Sequence, residues 1–448
     1  MKTQPSLFPD LDEPGSSPPP HTIRARASVT PAGTGKLRLS KPSHLAESLK
    51  SFDLFGKSTV QLETQAEFRG ERVPAATFVN EYWTSVQRAA SSLHEISYRA
   101  CFKPQLPRFF IERLTDPGDR VYDPFMGRGT TPIEAALLGR IPVGCDINPL
   151  SVHLVKPRLH PPTLEQVEKR LEQIDLNYQG AVWEELLAFY HPETLRGITA
   201  IREYLLKRQK QGTRDFVDDW IDMVCLNRLT GHSVGFFSVY SLPPNQATSI
   251  KGQLRINEKR NQTPPARDLK KIILKKTRLL LSDCTPEIRK VLQKVADSAQ
   301  LITASSAATP QIPDASIDLV VTSPPFLNVV QYASDNWLRC WFIGIDASAL
   351  AITFTSKLSA WRGAMTNVFQ ELKRTLRPSG RIAFEVGEVN GGALKLEEEV
   401  IPAALEAGLV TELVLINDQE FTKTANCWGV DNNGKGTNTN RVVVLRQK

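Results

Sequence analysis

The sequence predicts an α/β fold built on a mostly parallel sheet, because strand-like and helix-like patterns alternate towards both ends of the chain. Near residue 120, a strand-like run is followed by a glycine-rich turn, a helical pattern and a second strand-like run at 141–147. After an apolar run at 317–321 come helical patterns at 368–376 and 396–407, and strand-like runs at 381–386, 410–416 and 441–445. Such alternation is typical of a sheet covered by helices, and the last strand is predicted to be antiparallel.

A polar turn with two prolines, Ser323-Pro324-Pro325-Phe326, follows the apolar run. It lies at the carboxyl end of a predicted strand, where open α/β sheets bind their ligands. The prolines fix φ and lack N–H groups, so the turn is rigid and its carbonyls are free to act as acceptors. Ser323 can accept from an NH2 group, and Phe326 offers an apolar face to a nucleobase. A turn that merely ends a strand is the alternative.

A second motif is a glycine turn between a predicted strand and a predicted helix, Asp123-Pro124-Phe125-Met126-Gly127-Arg128-Gly129-Thr130-Thr131. Its glycines allow close approach of a ligand, and the first helical turn favours an anion. The next predicted strand ends at Asp146-Ile147, where an acid suits ribose hydroxyls. The motif lacks the Lys-Ser/Thr of a P-loop. A nucleoside with a charged amino-acid tail is therefore the predicted ligand.

Together, the two motifs resemble those of the DNA amino-methyltransferases, the S-adenosylmethionine-dependent enzymes that methylate N4 of cytosine or N6 of adenine. The resemblance covers about residues 94–150 and 300–448. It implies a Rossmann-like, seven-stranded S-adenosylmethionine-dependent methyltransferase fold and direct methyl transfer to a flipped base. The Ser-Pro-Pro-Phe form is commoner among the N4-cytosine members and favours that activity. The alternatives are methylation of N6-adenine or of RNA, and a non-catalytic nucleic-acid-binding protein on the same fold.

The resemblance also implies roles for individual residues. The expected catalytic residues are those of the proline turn, Ser323, Pro324, Pro325 and Phe326. The expected cofactor-binding residues lie around the glycine turn, in an upstream motif and at two strand ends: Lys103, Pro104, Asp123, Phe125, Gly127, Gly129, Thr130, Thr131, Asp146, Ile147 and Ser305. At Ser305 the family often has an acid that contacts the adenine amine. A serine there brings no charge, and it equally suits the cap of a turn.

At 448 residues, the chain is longer than an ordinary single domain, so an inserted or appended module is expected. Residues 1–60 are rich in Pro, Ser and Thr and are predicted to be disordered. Residues 61–160 are predicted to form N-terminal helices, including one over 74–99, and the cofactor-binding half. Residues 161–298 show helical patterns and are predicted to be an insertion that recognises the target. Residues 299–448 are predicted to form the catalytic half.

The net charge of +7 suits a polyanionic partner such as DNA. Basic residues are concentrated between residues 251 and 278, around a Pro/Asn/Gln-rich loop at 257–265. The segment is predicted to follow the phosphate backbone of DNA. A helix whose lysines merely solvate one face is the alternative. The residues predicted to contact DNA are Lys251, Lys259, Arg260, Lys270 and Lys271.

Other features concern location and partners. The six cysteines form no CxxC pair, which argues against a zinc site or a disulfide framework, and no metal is expected. No apolar run is long enough for a membrane span and no secretory signal is visible, so a cytoplasmic location is predicted. Residues 4–8, Gln-Pro-Ser-Leu-Phe, resemble the peptide by which bacterial DNA-processing proteins bind the sliding clamp. The clamp and a cognate restriction endonuclease are the candidate protein partners.

Overall fold

A computed structural model describes residues 43–83, 90–98, 101–244, 246–325, 332–347, 357–389, 394–418 and 439–448. The chain divides into two units, residues 1–38 and 39–448, and every described residue lies in the second unit. The clamp-like segment at residues 4–8 and Phe326 of the proline turn lie outside the described residues. None of the described helices is both long and apolar enough to cross a membrane.

The described strands form one large sheet and a small hairpin. In chain order they are β1 (Val60–Phe68), β2 (Glu71–Asn80), β3 (Arg120–Asp123), β4 (Ile141–Asp146), β5 (Gln300–Thr303), β6 (Ile317–Thr322), β7 (Leu376–Val386), β8 (Glu388–Val389), β9 (Leu394–Lys395), β10 (Leu409–Asp418) and β11 (Thr439–Gln447). The large sheet has nine strands in the order β1-β2-β10-β11-β7-β6-β3-β4-β5, and β8 pairs with β9 apart from it.

The sheet is of the Rossmann-like kind. Strands β5, β4, β3, β6 and β7 pair in parallel, and β11 is antiparallel to both of its neighbours, β7 and β10. The predicted α/β class and the antiparallel last strand are therefore confirmed. The chain order reverses at β3, between β4 on one side and β6 on the other, which is the switch point where open sheets bind ligands. The glycine turn follows β3, and the proline turn follows β6.

The count of nine strands instead of seven comes from the N-terminal hairpin of β1 and β2, which extends the sheet beside β10. The helix predicted over residues 74–99 is therefore wrong in its first part. Aromatic residues at helical spacing suggested it, but the buried Ala75 and Thr77 alternate with the exposed Pro74 and Ala76, which is the period of a strand. Arg69 and Gly70 both have positive φ, as a tight hairpin turn requires.

The prediction of disorder is wrong for residues 43–50, which lie within the predicted tail. Residues 43–50 form a helix, α1, which buries Leu45 and Leu49. The other described helices are α2 (Gln105–Leu114), α3 (Thr130–Leu137), α4 (Leu150–Leu159), α5 (Leu164–Glu172), α6 (Pro192–Lys210), α7 (Phe216–Leu226), α8 (Ile250–Arg260), α9 (Leu269–Leu280), α10 (Pro286–Ala296), α11 (Tyr332–Phe342), α12 (Leu358–Thr375) and α13 (Glu397–Glu406).

Helices α5 to α10 occupy the predicted insertion between β4 and β5. They share one apolar cluster with the cofactor-side helices and with α11. Trp220 and Phe189 of the insertion belong to the same buried cluster as Ile133 of α3 and Phe342 of α11. The insertion therefore packs against both halves of the predicted site.

Candidate active site

The glycine turn after β3 is held in a conformation that only glycine tolerates well. Gly127 and Gly129 have φ values of +46° and +80°. A Cβ atom at residue 129 would overlap Cγ2 of Val155 on α4, closer than van der Waals contact allows. Helix α3 begins at the next residue, Thr130, which is buried. The turn therefore brings the backbone and the amino end of α3 to the ligand edge of the sheet.

Asp146, at the end of β4, fastens this turn. Its Oδ2 accepts from the Gly127 N–H at 2.8 Å, and its Oδ1 accepts from the Asn148 N–H at 2.8 Å. Burial of the carboxylate raises the pKa of Asp146, and these hydrogen bonds oppose the rise. The side chain remains partly exposed, and Ile147 beside it is 47% exposed. An acceptor beside an apolar face suits a ribose followed by a purine ring.

Asp123 is 1% exposed and joins the two predicted motifs. Its Oδ1 accepts from the Thr322 hydroxyl at 2.6 Å and from the Phe125 N–H at 3.1 Å. A second link runs from the Thr131 hydroxyl to the Val321 carbonyl at 3.0 Å. Burial raises the pKa of Asp123 to about 7. The sequence suggested that Asp123 binds the cofactor, and the structure places its carboxyl between the glycine turn and the last residue of β6.

Ser323, the first residue of the proline turn, is half-buried beside a buried acid. Its side chain forms a hydrogen bond with Glu385 of β7, whose carboxylate also accepts from Asn440 Nδ2 at 3.0 Å. Glu385 is 6% exposed, and burial raises its pKa while both hydrogen bonds oppose the rise. The sequence reasoning missed Glu385. A single acid inside the predicted apolar strand at 381–386 was the available signal, since such strands seldom bury a charge without a partner.

The far end of the proline turn is held from α12. The indole Nε1–H of Trp361 donates to the Pro325 carbonyl at 3.1 Å. Trp361 is 4% exposed and lies in the apolar cluster that α12 and α13 form with the sheet. The sequence reasoning also missed this residue, because a tryptophan in an amphipathic helix is ordinarily explained by core packing alone.

The remaining predicted cofactor residues lie just before α2, in the glycine turn and just after β5. Pro104 is buried and immediately precedes α2, and Lys103 next to it is exposed. Phe125 is half-buried against the core. Ser305 is exposed, and its hydroxyl oxygen accepts from the Ala307 N–H at 3.3 Å. It therefore has the turn-capping contact that was the alternative at this position.

Four buried or half-buried cations fix residues 93–97 beside the glycine turn, and no sequence pattern pointed to them. Each donates to a different backbone carbonyl: Arg158 to Leu93, Lys276 to Glu95, Arg128 to Ile96 and Arg339 to Ser97. Burial lowers the pKa of Arg158 to about 9 and that of Lys276 to about 8. Lys276 lies within the basic segment assigned to DNA, yet it points into the protein.

The five residues predicted to contact DNA lie on two helices. Lys251, Lys259 and Arg260 are exposed on α8, which continues through the first residues of the predicted loop and ends at Arg260. Lys271 is exposed and Lys270 half-exposed on α9. Within the described part of the chain, none of the five forms a salt bridge, and no group of three or more His, Cys, Asp or Glu side chains is arranged to hold a metal.

The raised pKa of Asp123 makes a pH-dependent prediction. The pKa of an unfolded aspartate is about 3.9, whereas that of Asp123 in the folded protein is about 7. The folded state thus binds the proton more tightly. The contribution of this proton binding to the free energy of unfolding is fully present below about pH 4, and it is lost as the pH rises through about 7. Asp123→Asn cannot ionise but keeps an acceptor for Thr322. We expect the variant to gain stability relative to wild type between pH 5 and pH 8, by urea denaturation.

The exposed Asp53→Asn variant is the matched control for this measurement. If the stability of Asp123→Asn followed that of wild type in parallel across the whole pH range, the assignment of the raised pKa to Asp123 would be wrong.

The chain matches known DNA methylases. Residues 46–157 match the family model described as DNA methylase, of the N6/N4 type. Type II methyltransferase M.BsoBI of Geobacillus stearothermophilus is 25% identical over 60% of this chain and 56% of its own length. Type II methyltransferase M1.MboII of Moraxella bovis is 38% identical over 17% of this chain and 31% of its own. The aligned part of this chain thus spans about half the length of the first relative, and less of the second.

Among solved structures, a TehB-like S-adenosylmethionine-dependent methyltransferase from Corynebacterium glutamicum is similar over 76% of this chain and 87% of its own. The identity is 8% and the TM-score is 0.29, so the fold assignment rests on the order of the strands in this chain itself. The family model and the type II relatives support the resemblance to the S-adenosylmethionine-dependent DNA amino-methyltransferases that the two motifs predicted.

Proposed function

We propose that this protein transfers a methyl group from S-adenosylmethionine to the exocyclic N4 amine of cytosine in DNA. The observation that carries the proposal is the Ser323-Pro324-Pro325 turn, a rigid set of acceptors joined to the glycine turn by the hydrogen bond between Thr322 and Asp123. The two turns follow β3 and β6, which are neighbouring parallel strands of one sheet, and this supports adjacent sites for the cofactor and the amine. The serine in place of an aspartate favours cytosine over adenine.

The residues of the glycine turn suit the cofactor. The amino end of α3 and the close-packed turn at Gly129 would receive the methionine carboxylate, and Asp146 the ribose hydroxyls. The exposed Ile147 offers an apolar surface to the adenine ring. When bound, S-adenosylmethionine supplies an electrophilic methyl carbon on a positively charged sulfur.

The residues of the proline turn would orient the target amine. Because Ser323 bonds to the Glu385 carboxylate, its hydroxyl proton is directed there, and its oxygen lone pairs are left to accept from the amine. The Pro324 carbonyl provides the second acceptor, since no described residue donates to it. An amine that donates both N–H groups to fixed acceptors has its nitrogen lone pair directed out of that plane, towards the methyl carbon.

The proton balance also involves the buried acid. In this transfer the amine nitrogen would form a bond to the methyl carbon that the bound cofactor supplies, and the electron pair of the broken carbon–sulfur bond would remain on the cofactor sulfur. The nitrogen, now carrying three substituents besides the methyl group, must release one proton. Ser323 and Glu385 form a hydrogen-bonded route from this nitrogen into the protein, and the raised pKa of Glu385 favours proton uptake. No covalent bond between enzyme and base is required.

Nucleoside analysis tests the proposed activity. DNA incubated with the protein and S-adenosylmethionine should yield N4-methylcytosine on enzymatic digestion and mass spectrometry. N6-methyladenine as the product would retain the mechanism and overturn the choice of base. Methylation of RNA alone would overturn the choice of nucleic acid, and cofactor binding without any methylated product would favour a non-catalytic binding protein.

A double-mutant cycle tests the roles of Ser323 and Glu385. Ser323→Ala should lower the single-turnover rate of methyl transfer by about tenfold to a thousandfold, since one transition-state hydrogen bond is removed. Glu385→Gln should lower the rate by a similar factor in the wild-type background. Because Glu385 acts through Ser323, the same change should have little further effect in the Ser323→Ala background. Full activity of Ser323→Ala, or independent and additive effects, would contradict this arrangement.

We further propose that α8 follows the phosphate backbone of DNA. Lys251, Arg255 and Lys259 are exposed at one-turn spacing along this helix. Arg260 at its end lies over the ring of the exposed Tyr240, 3.9 Å from the ring centroid. Glu258 is the one acid on the helix. Such a row of cations matches a row of phosphates.

Helix α8 is favoured over α9 as the DNA-binding helix, because α8 is connected to the proline turn. The Thr248 carbonyl, two residues before α8, accepts from Trp337 Nε1 at 3.1 Å, and Trp337 lies on α11, the first described helix after the turn. The exposed Lys271 and Arg278 of α9 lie on the side of the helix opposite the buried Lys276, which contacts Glu95 beside the glycine turn. The exposed face of α9 is therefore directed away from that turn.

Matched triple variants separate the two helices. Changing Lys251, Arg255 and Lys259 to Gln should weaken binding to every DNA sequence. It should also reduce the salt dependence, with the slope of log affinity against log salt falling by about 0.9 for each phosphate whose cationic partner is removed. Changing Lys271, Lys275 and Arg278 to Gln on the exposed face of α9 should leave the slope nearly unchanged. A binding titration at several salt concentrations measures both. An unaltered slope in the α8 variant would remove that helix from the DNA interface.

The proposal has three further parts. The helical insertion at residues 161–298 is assigned to target recognition, because it packs on both halves of the site. The segment at residues 4–8 is assigned to sliding-clamp binding, and a restriction endonuclease of the same specificity is the candidate functional partner.

A further inference from the structure

The proline turn presents three acceptors, two of them backbone carbonyls, whereas an NH2 group has two protons. Pro324 and Pro325 lack N–H groups, so each contributes a carbonyl without adding a donor to the turn. The side chain of Ser323 already offers one acceptor. If the carbonyls of both prolines were free, an NH2 group could donate one N–H to Ser323 and the other to either carbonyl. Only one of these two arrangements would direct the nitrogen lone pair at the methyl carbon.

Trp361 removes this ambiguity in the described structure. Its indole N–H donates to the Pro325 carbonyl at 3.1 Å, whereas no described residue donates to the Pro324 carbonyl. An indole can donate but not accept, so Trp361 satisfies the oxygen without competing for the protons of the amine. The carbonyl of Pro324 is thereby left as the backbone acceptor.

The position of Trp361 is fixed by packing. The side chain is 4% exposed, in the first turn of α12, and it belongs to the same apolar cluster as Val400 and Ile401 of α13. Across the same pair of helices, Arg362 lies 3.8 Å from Glu399. The indole N–H is thus held by two helices that contribute no residue to the proposed cofactor site.

We propose that Trp361 is a positioning residue that selects the Pro324 carbonyl as the partner of the target amine. Together with Glu385, which orients Ser323 from β7, it fixes the turn from both ends. The inference rests on the proposed amine transfer but adds a residue outside the motif. Its consequence is specific: loss of the indole N–H should disturb the orientation of the amine more than the binding of cofactor or DNA.

Trp361→Phe tests this, because it keeps an aromatic ring and removes the donor. The matched control is Trp220→Phe, since Trp220 is also fully buried and its Nε1–H also donates at 3.1 Å, but to Thr277 of α9. Single-turnover methyl transfer, cofactor affinity, DNA affinity and thermal stability are measured for both variants. We expect Trp361→Phe to lower the transfer rate on the order of tenfold to a hundredfold. We expect both affinities to stay within about threefold of wild type, and Trp220→Phe to keep the wild-type rate, with similar losses of thermal stability in the two variants.

Two outcomes would overturn the inference. One is a Trp361→Phe rate within about twofold of wild type. The other is an equal loss of rate in Trp220→Phe, which would show a general effect of core destabilisation. The result for Ser323→Ala separates this inference from the proposed function. An inactive Ser323→Ala with a fully active Trp361→Phe refutes only the role of Trp361, whereas a wild-type protein that methylates no amine refutes the proposed function itself.

Discussion

The hydrogen bond between the Thr322 hydroxyl and the buried Asp123 carboxyl is the contact on which the candidate site depends. It joins the last residue of β6 to the last residue of β3, so it fixes the proline turn relative to the glycine turn. A carboxyl that is 1% exposed is costly to ionise, and burial raises its pKa to about 7. The buried position of Asp123 is therefore explained by its role in aligning the two turns. A direct contact between this carboxyl and a ligand is not needed to explain it.

The sheet topology explains why two distant motifs form one site. About 190 residues separate β3 from β6, yet the two strands are neighbours because β4 and β5 lie on the other side of β3. Their carboxyl ends meet where the strand order reverses. The long helical insertion lies between β4 and β5 in the chain and leaves this contact unchanged. It packs instead on α3 and α11, which begin just after the glycine turn and beyond the proline turn.

The sequence predicted the elements whose signals are local. The two turns, the parallel strands beside them and the antiparallel last strand depend on nearby residues, and the structure has them where they were expected. The strands β1 and β2 were missed because aromatic residues at helical spacing, Phe78 and Tyr82 among them, outweighed the shorter period-two pattern before them. Glu385 and Trp361 were missed for another reason: each acts on the proline turn from a segment about 36 to 62 residues further along the chain.

The two missed residues change how the proline turn works. From sequence, its rigidity came from the prolines and its chemistry from the serine hydroxyl. In the structure, the Glu385 carboxylate accepts a hydrogen bond from the Ser323 hydroxyl, and the indole N–H of Trp361 donates to the Pro325 carbonyl. Prolines alone restrict φ but do not decide which oxygen receives a proton. In the proposed mechanism, the neighbouring strand and helix make that choice, so the selectivity of the turn for one amine geometry would be a property of the fold around the motif.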